Sequence, residues 1–198
     1  MHLLLLYAIL SDIQMEAEMA NALLILADGF EEVEAITPID LLRRAGVDVT
    51  VAALKGMEAI GGHSIVVSAD VELKSVLNKH FDMLILPGGG GGTAKLAASE
   101  EVLNLLRKYE KEDRYIAAIC AAPTVLAKAG VAKDIPVTSH PCGEGAFAPE
   151  LYTKERVVVS GKVITSRSAG TAMDFSLELV KVLAGVEAYK TLKNDLLI

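Results

Sequence analysis

Cysteine is scarce in this chain, and positive charge is outnumbered. Cys120 and Cys142 are the only two cysteines in 198 residues. That is too few for a disulfide framework, so the thiols are expected to be free or transiently oxidised in a reducing compartment, the cytosol. Against 19 Lys and Arg stand 26 Asp and Glu, for a formal net charge of -7. With no basic surface to neutralise phosphates, nucleic-acid binding is not expected. Hydrophobic residues make up 52% of the chain, yet no apolar run reaches the roughly 18 residues that suggest a membrane span. Internal repeats, low-complexity tracts and linkers are missing as well. The expectation is a single domain over residues 21–198, long enough to bury a substantial core.

Residues 1–20 stand apart. MHLLLLYAIL resembles the apolar core of a signal peptide but has no Lys or Arg before it, and the acidic stretch SDIQMEAEMA follows. Met15 and Met19 are both possible starts, and MANALLILADG begins directly on a strand. An N-terminal extension is therefore expected, with the face from Leu3 to Leu6 docked on an apolar surface.

What is present is an alternation of short aliphatic runs with longer helical patterns, the signature of βαβ units and a parallel sheet. Strands are expected over 22–26, 47–52, 65–67, 83–86, 115–119, 136–138, 156–159 and 163–165. Their near-continuous apolarity fits burial on both faces. A helix over 35–45 ends at Gly46, with Arg43 and Arg44 at the negative end of its dipole. Ser99, Glu100 and Glu101 mark another helix start, VVVSGKVIT reads as a hairpin turning at Ser160 and Gly161, and a covering helix is expected over 171–184. The fold class is α/β, a three-layer sandwich with an open, mostly parallel sheet. Ligands bind such folds beyond the carboxyl ends of the strands, where DGFEEVE, PGGGGG and ICAAP all fall.

The chemistry-bearing residues are few. PGGGGG, from Pro87 to Gly92, fails the P-loop template around Lys95 and fails GxGxxG at Thr93, so a flexible loop with positive φ is expected rather than a nucleotide site. Its amides could still approach a reacting oxygen. Glu31, Glu32 and Glu34 crowd one helix start, where the dipole stabilises acids without any catalytic role; Glu31 and Glu34 share a face. Cys120 lies where a strand turns into a helix, a place that favours the thiolate and resembles a nucleophile elbow. On position alone it is either a reactive thiol or an inert core cysteine. His140, twenty residues on, is either a base for that thiol or a loop histidine, and Cys142 is either a resolving thiol or an incidental one. Neither His63 nor His80 shows a partner. Cys120, His140 and Cys142 match no zinc spacing, so no metal is expected.

Taken in order, ADGFEEVEAITPIDLLRRAG, MLILPGG, AAICAAPTVLA, VTSHP and TSRSAGT resemble the DJ-1/ThiJ/PfpI superfamily, in its DJ-1-like branch, from Ala22 to about Ala188. The resemblance implies a flavodoxin-like sandwich, usually a homodimer, that needs no cofactor. It implies Cys120 as nucleophile, Glu34 as a protonated carboxyl hydrogen-bonded to the thiolate, and His140 as the active-site histidine. The amides of Gly89 and Ala121, with Gly88 beside them, are implied as oxyanion donors, and Arg44 as part of the dimer surface. The implied activity is a glutathione-independent glyoxalase or deglycase acting on 2-oxoaldehydes such as methylglyoxal or their early adducts. The alternative it implies is a redox sensor or stress chaperone that oxidises Cys120 without turnover. Three departures matter. Ala121 replaces the histidine that follows the cysteine in a protease-like branch, which argues against a peptidase. The later H-x-E of glutamine amidotransferases is missing, and Ser168-Ala169-Gly170 stands where the family often reads GPG.

Overall fold

The computed structural model describes residues 19–198; the docking expected of Leu3 to Leu6 lies outside them. In chain order the main elements are β1 (Asn21–Leu26), α1 (Glu32–Arg44), β2 (Asp48–Ala53), β3 (Glu58–Ile60), β4 (Val66–Ser68), β5 (Val71–Glu72), β6 (Met83–Leu86), α2 (Gly90–Ala98), α3 (Glu100–Lys111), β7 (Tyr115–Ile119), α4 (Pro123–Ala129), β8 (Val157–Ser160), β9 (Val163–Ser166) and α5 (Ala172–Asp195). Seven strands form one sheet in the order β5-β2-β1-β6-β7-β9-β8. All its pairings are parallel except β8 with β9. β3 and β4 form a separate antiparallel hairpin.

Alternation along the strands builds two cores. On β1, Leu24 and Leu26 face α1 and α5 with Leu42, Phe175 and Leu179, while Leu23 and Ile25 face α3 and α4 with Leu103, Leu106 and Leu126. Period-two geometry sends successive side chains to opposite faces, so a strand of unbroken aliphatics is buried on both. The result is a three-layer α/β/α, flavodoxin-like sandwich. Among the described residues no helix is long and apolar enough to cross a membrane.

The expected strands over 83–86 and 115–119 coincide with β6 and β7. Residues 136–138 form no sheet strand, only an isolated bridge between Val137 and Tyr152. The reason is local: Pro136 has no N–H, the Val137 amide bonds to Leu151 O at 2.9 Å, and the Thr138 amide bonds to Thr165 Oγ1 at 3.0 Å. The glycine run is not the expected flexible loop throughout, since α2 begins at Gly90 and the Thr93 amide closes its first turn on Gly89 O at 2.8 Å. Only Gly89 keeps a positive φ there, 91°. The covering helix outruns its expected end at residue 184, because the chain breaks at Gly185 (φ 88°) and then resumes helically to Asp195. The short strands β3 and β5 carried no readable pattern.

The strand order reverses between β1 and β6, and the loops after β1, β6 and β7 meet there. Leu84 is fully buried in the central strand β6, whereas Val186 is half exposed. Leu84→Ala is expected to lower the unfolding free energy by about 2–5 kcal/mol in urea denaturation, and Val186→Ala by no more than about 0.5 kcal/mol. Equal losses would contradict this placement of the core.

Candidate active site

Cys120 occupies the sharp turn between β7 and α4, with φ at 65°. A non-glycine residue rarely adopts that conformation, which costs on the order of 1–3 kcal/mol, so the surroundings must hold it. They do so through both backbone groups. The Cys120 amide donates to Ser166 O at 2.9 Å, and its carbonyl accepts from the His140 amide at 2.7 Å. Ser166 is itself anchored, its hydroxyl bonding Arg156 O and Thr171 Oγ1, both at 2.7 Å. The amides of Gly89 and Ala121 face the half-buried sulfur.

Glu34 reaches the same point from the first turn of α1. It is 1% exposed, and its Oε2 accepts from the Gly88 amide at 3.0 Å. The Cys120 thiol and the Ala169 amide both lie against its carboxyl. Its Oε1 is buried without a hydrogen-bond partner. Gly88 is what lets the three strand ends close together. A Cβ there would come within 2.4 Å of Glu34 Oε2 and 2.6 Å of Cys120 Cβ, distances that side-chain atoms do not tolerate. The expectation that the Gly88 amide is an oxyanion donor therefore needs correcting: that amide is committed to Glu34, and the amides free to face the sulfur are those of Gly89 and Ala121.

Burial dominates the electrostatics. It pushes Glu34 up to about 7, with the Glu31 charge adding to the effect, although the bonds from Cys120 and Gly88 oppose it. Burial also pushes the Cys120 thiol up to about 12, aided by the Glu34 charge and hydrogen bond and only partly offset by the Gly89 and Ala121 amides. The depressed thiol pKa expected at the helix start is thus overruled by desolvation and by a neighbouring acid. Two acids in contact lose their protons as a pair. One proton leaves near 7, and the other is held between carboxyl and thiol well into the alkaline range.

The remaining candidates are placed as follows. The His140 backbone supports Cys120, while its exposed imidazole accepts the Cys142 amide on Nδ1 at 3.2 Å. A neutral ring in that arrangement carries its proton on Nε2. Cys142 is exposed and forms no disulfide with Cys120. Arg44 is exposed and paired with Asp40 at 2.8 Å. His63 and His80, for which the sequence shows no partner, have acidic neighbours: His80 Nε2 lies 3.5 Å from Asp82, and His63 bonds Glu32. A cleft of about 780 Å³ past β1, β2 and β5 is lined by Asp28, Leu54, Glu72 and Lys95, and Cys120 is not part of it. Two participants escaped the sequence reading altogether: Ser166 as the acceptor that fixes the elbow, and the Ala169 amide. The Ser166 pairing would have needed the β7–β9 register, which no local pattern states.

A flavodoxin-like sandwich with a cysteine elbow beside a buried carboxyl at the strand ends defines a recognisable class. The chain belongs to the DJ-1/PfpI family, which it matches over residues 20–182. It is 44% identical to protein dj-1beta of Drosophila melanogaster over 185 residues, 90% of this chain and 97% of that one. The crystal structure of Drosophila melanogaster DJ-1beta superposes with a TM-score of 0.87 at 42% identity, covering 91% of this chain and 98% of that chain. The glutathione-independent glyoxalase DJR-1.2 of Caenorhabditis elegans is 37% identical over 189 residues, 92% of this chain and 98% of that protein.

The raised Glu34 pKa has a consequence for stability. As pH rises from the ordinary carboxyl value of 4.5 toward about 7, the unfolded chain releases this proton before the folded one does. The stability that goes with the neutral acid is full below about 4.5 and is lost as pH passes through 7. Relative to Glu34→Gln, which cannot ionise, the wild type is expected to lose up to about 3 kcal/mol between pH 5 and pH 8. Denaturant titrations of the two proteins at those pH values measure it, and parallel pH dependence would contradict the buried, neutral carboxyl.

Proposed function

We propose that the chain is a cofactor-independent, cysteine-dependent enzyme that converts small 2-oxoaldehydes such as methylglyoxal into 2-hydroxy acids. The observation that carries this reading is the Glu34–Cys120 contact: a thiol held at positive φ, faced by two unspent amides, against a carboxyl that burial pushes up to about 7. The name of the worm relative supports the same chemistry. In this reading the proton held by the pair passes from sulfur to Glu34 as substrate arrives, leaving sulfur as the nucleophile. Sulfur adds to the aldehyde carbon, and the oxygen that gains charge faces the Gly89 and Ala121 amides before Glu34 protonates it, giving a hemithioacetal. Glu34 and His140 then relay the hydrogen at the aldehyde carbon, as a proton, to the neighbouring carbon, which becomes the alcohol carbon while the first becomes a thioester. Water cleaves the thioester, releasing the 2-hydroxy acid and restoring the thiol. One water is consumed and no external oxidant is needed. Early adducts of the aldehyde with proteins would be released through the same hemithioacetal.

A homodimer belongs to this proposal. Val33 and Ile36 on α1 are 50% and 43% exposed, apolar surface that a second copy would cover. A cytosolic location likewise belongs to this proposal and is supported by the free thiols.

A second reading is favoured by Glu34 Oε1, which is buried without a hydrogen-bond partner. Peroxide would transfer one oxygen to the sulfur to give a sulfenic acid and a second to give a sulfinate, each step releasing water or hydroxide. A neutral Glu34 would donate a hydrogen bond to that sulfinate and hold oxidation there. In this reading the chain is a redox sensor or stress chaperone without turnover.

Lactate formation from methylglyoxal is expected from the wild type, with Cys120→Ala reduced to the rate of buffer and Glu34→Gln slowed by about a hundredfold or more. A Cys120→Ala variant as fast as wild type ends the enzymatic reading. Intact mass after mild peroxide is expected to show two added oxygens on Cys120; a disulfide between Cys120 and Cys142 would instead indicate a resolving mechanism.

A further inference from the structure

Three metal-capable side chains meet outside the Cys120 centre. Glu31 precedes α1, Glu32 opens it, and His63 lies in the tight loop between β3 and β4. His63 Nδ1 is 2.9 Å from Glu32 Oε2 and 3.6 Å from Glu31 Oε2. One ligand atom from each residue falls within 4.8 Å of the other two. Around a four-coordinate zinc ion with bonds of about 2.0–2.1 Å, ligand atoms stand roughly 3.4 Å apart. The two His63 distances bracket that value, and the separation of the Glu31 and Glu32 oxygens stays within 4.8 Å.

The fold assembles this trio in advance. The loop is tied to the start of α1 by Gly62 N–H donating to Phe30 O at 2.7 Å and by Gly29 N–H donating to Ile60 O at 2.7 Å. Glu32 is 6% exposed, and its Oε1 accepts the His63 amide at 2.7 Å, which turns Oε2 toward the ring. Gly61 permits that closure: a Cβ there would lie 2.2 Å from Glu32 Oε1 and 2.4 Å from its Cδ. The His63 side chain is 71% exposed, which leaves an open side for entry and for a water ligand. Burial works to raise the Glu32 carboxyl, but the His63 ring and backbone amides hold it at about 2, and Glu32 in turn raises His63.

We infer that Glu31, Glu32 and His63 form a binding site for a zinc-class divalent cation, with three protein ligands and at least one open position. The imidazole nitrogen distinguishes this donor set from a surface patch of acids, and it suits zinc over calcium or magnesium, which take oxygen ligands. The site touches the Cys120 centre at one point: the Glu31 amide donates to Gly88 O at 3.0 Å, on the residue whose own amide holds Glu34. Its existence does not depend on what Cys120 reacts with.

The test is calorimetric titration of zinc chloride into the full chain carrying Cys120→Ser and Cys142→Ser, which removes thiol ligands. A single equivalent is expected to bind. Adding His63→Ala, at an exposed position, or the isosteric Glu31→Gln is expected to weaken zinc by about tenfold or more, while His80→Ala leaves it unchanged. Thermal unfolding of each variant without metal confirms that the fold is kept. Failure of a single equivalent to bind, undiminished affinity in His63→Ala, or tighter binding of calcium than of zinc would each overturn the assignment.

Discussion

A carboxyl and a thiol packed against each other at the ends of three adjacent strands are the constraint around which this molecule is arranged. Neither group can shed its proton independently, because burial and mutual repulsion raise both. Keeping such a pair costs stability, so it persists only where the surroundings leave no alternative. Here those surroundings are the backbone: the Gly88 amide on Glu34, and the Ser166 and His140 backbones on Cys120. A single added methyl at Gly88 would occupy the space in which the two side chains meet.

The sandwich explains how this backbone frame stays rigid. β1, β6 and β7 are neighbours in a parallel sheet buried on both faces, so their carboxyl ends emerge together. The antiparallel pair of β8 and β9 adds the Ser166 carbonyl at the same level, through the register that sets Ile119 opposite Ser166. Strain at Cys120 is therefore borne by strands whose own positions are fixed by two hydrophobic cores. Under the proposed function, that rigidity lets the Gly89 and Ala121 amides await a developing negative charge without reorganising.

The first turn of α1 serves two neighbouring centres. Glu34 points inward to the thiol, while Glu31 and Glu32 face the His63 loop. Charge on Glu31 raises Glu34, so whatever neutralises Glu31 acts on the proton shared with Cys120. The two centres are thus coupled through a few residues of one helix, by Coulomb interaction and by the hydrogen bond from Glu31 to Gly88.

Much of the fold was readable from local pattern, because unbroken aliphatic runs such as MLIL and YIAAI have one good solution in water, a strand covered on both sides. The position of the candidate thiol was readable too, since ICAAP places it between a strand and a proline-started helix. The sequence by itself thus determined the α/β class, the strand ends at which chemistry could occur, and the family motifs at Glu34, Cys120 and His140. Only tertiary structure decided how those residues are used. It committed the Gly88 amide to Glu34, raised the thiol where a helix start alone would have lowered it, and gave His63 its partners. Hydrogen-bond commitment and desolvation depend on groups separated by 31 to 54 residues, and no local pattern encodes a contact of that span.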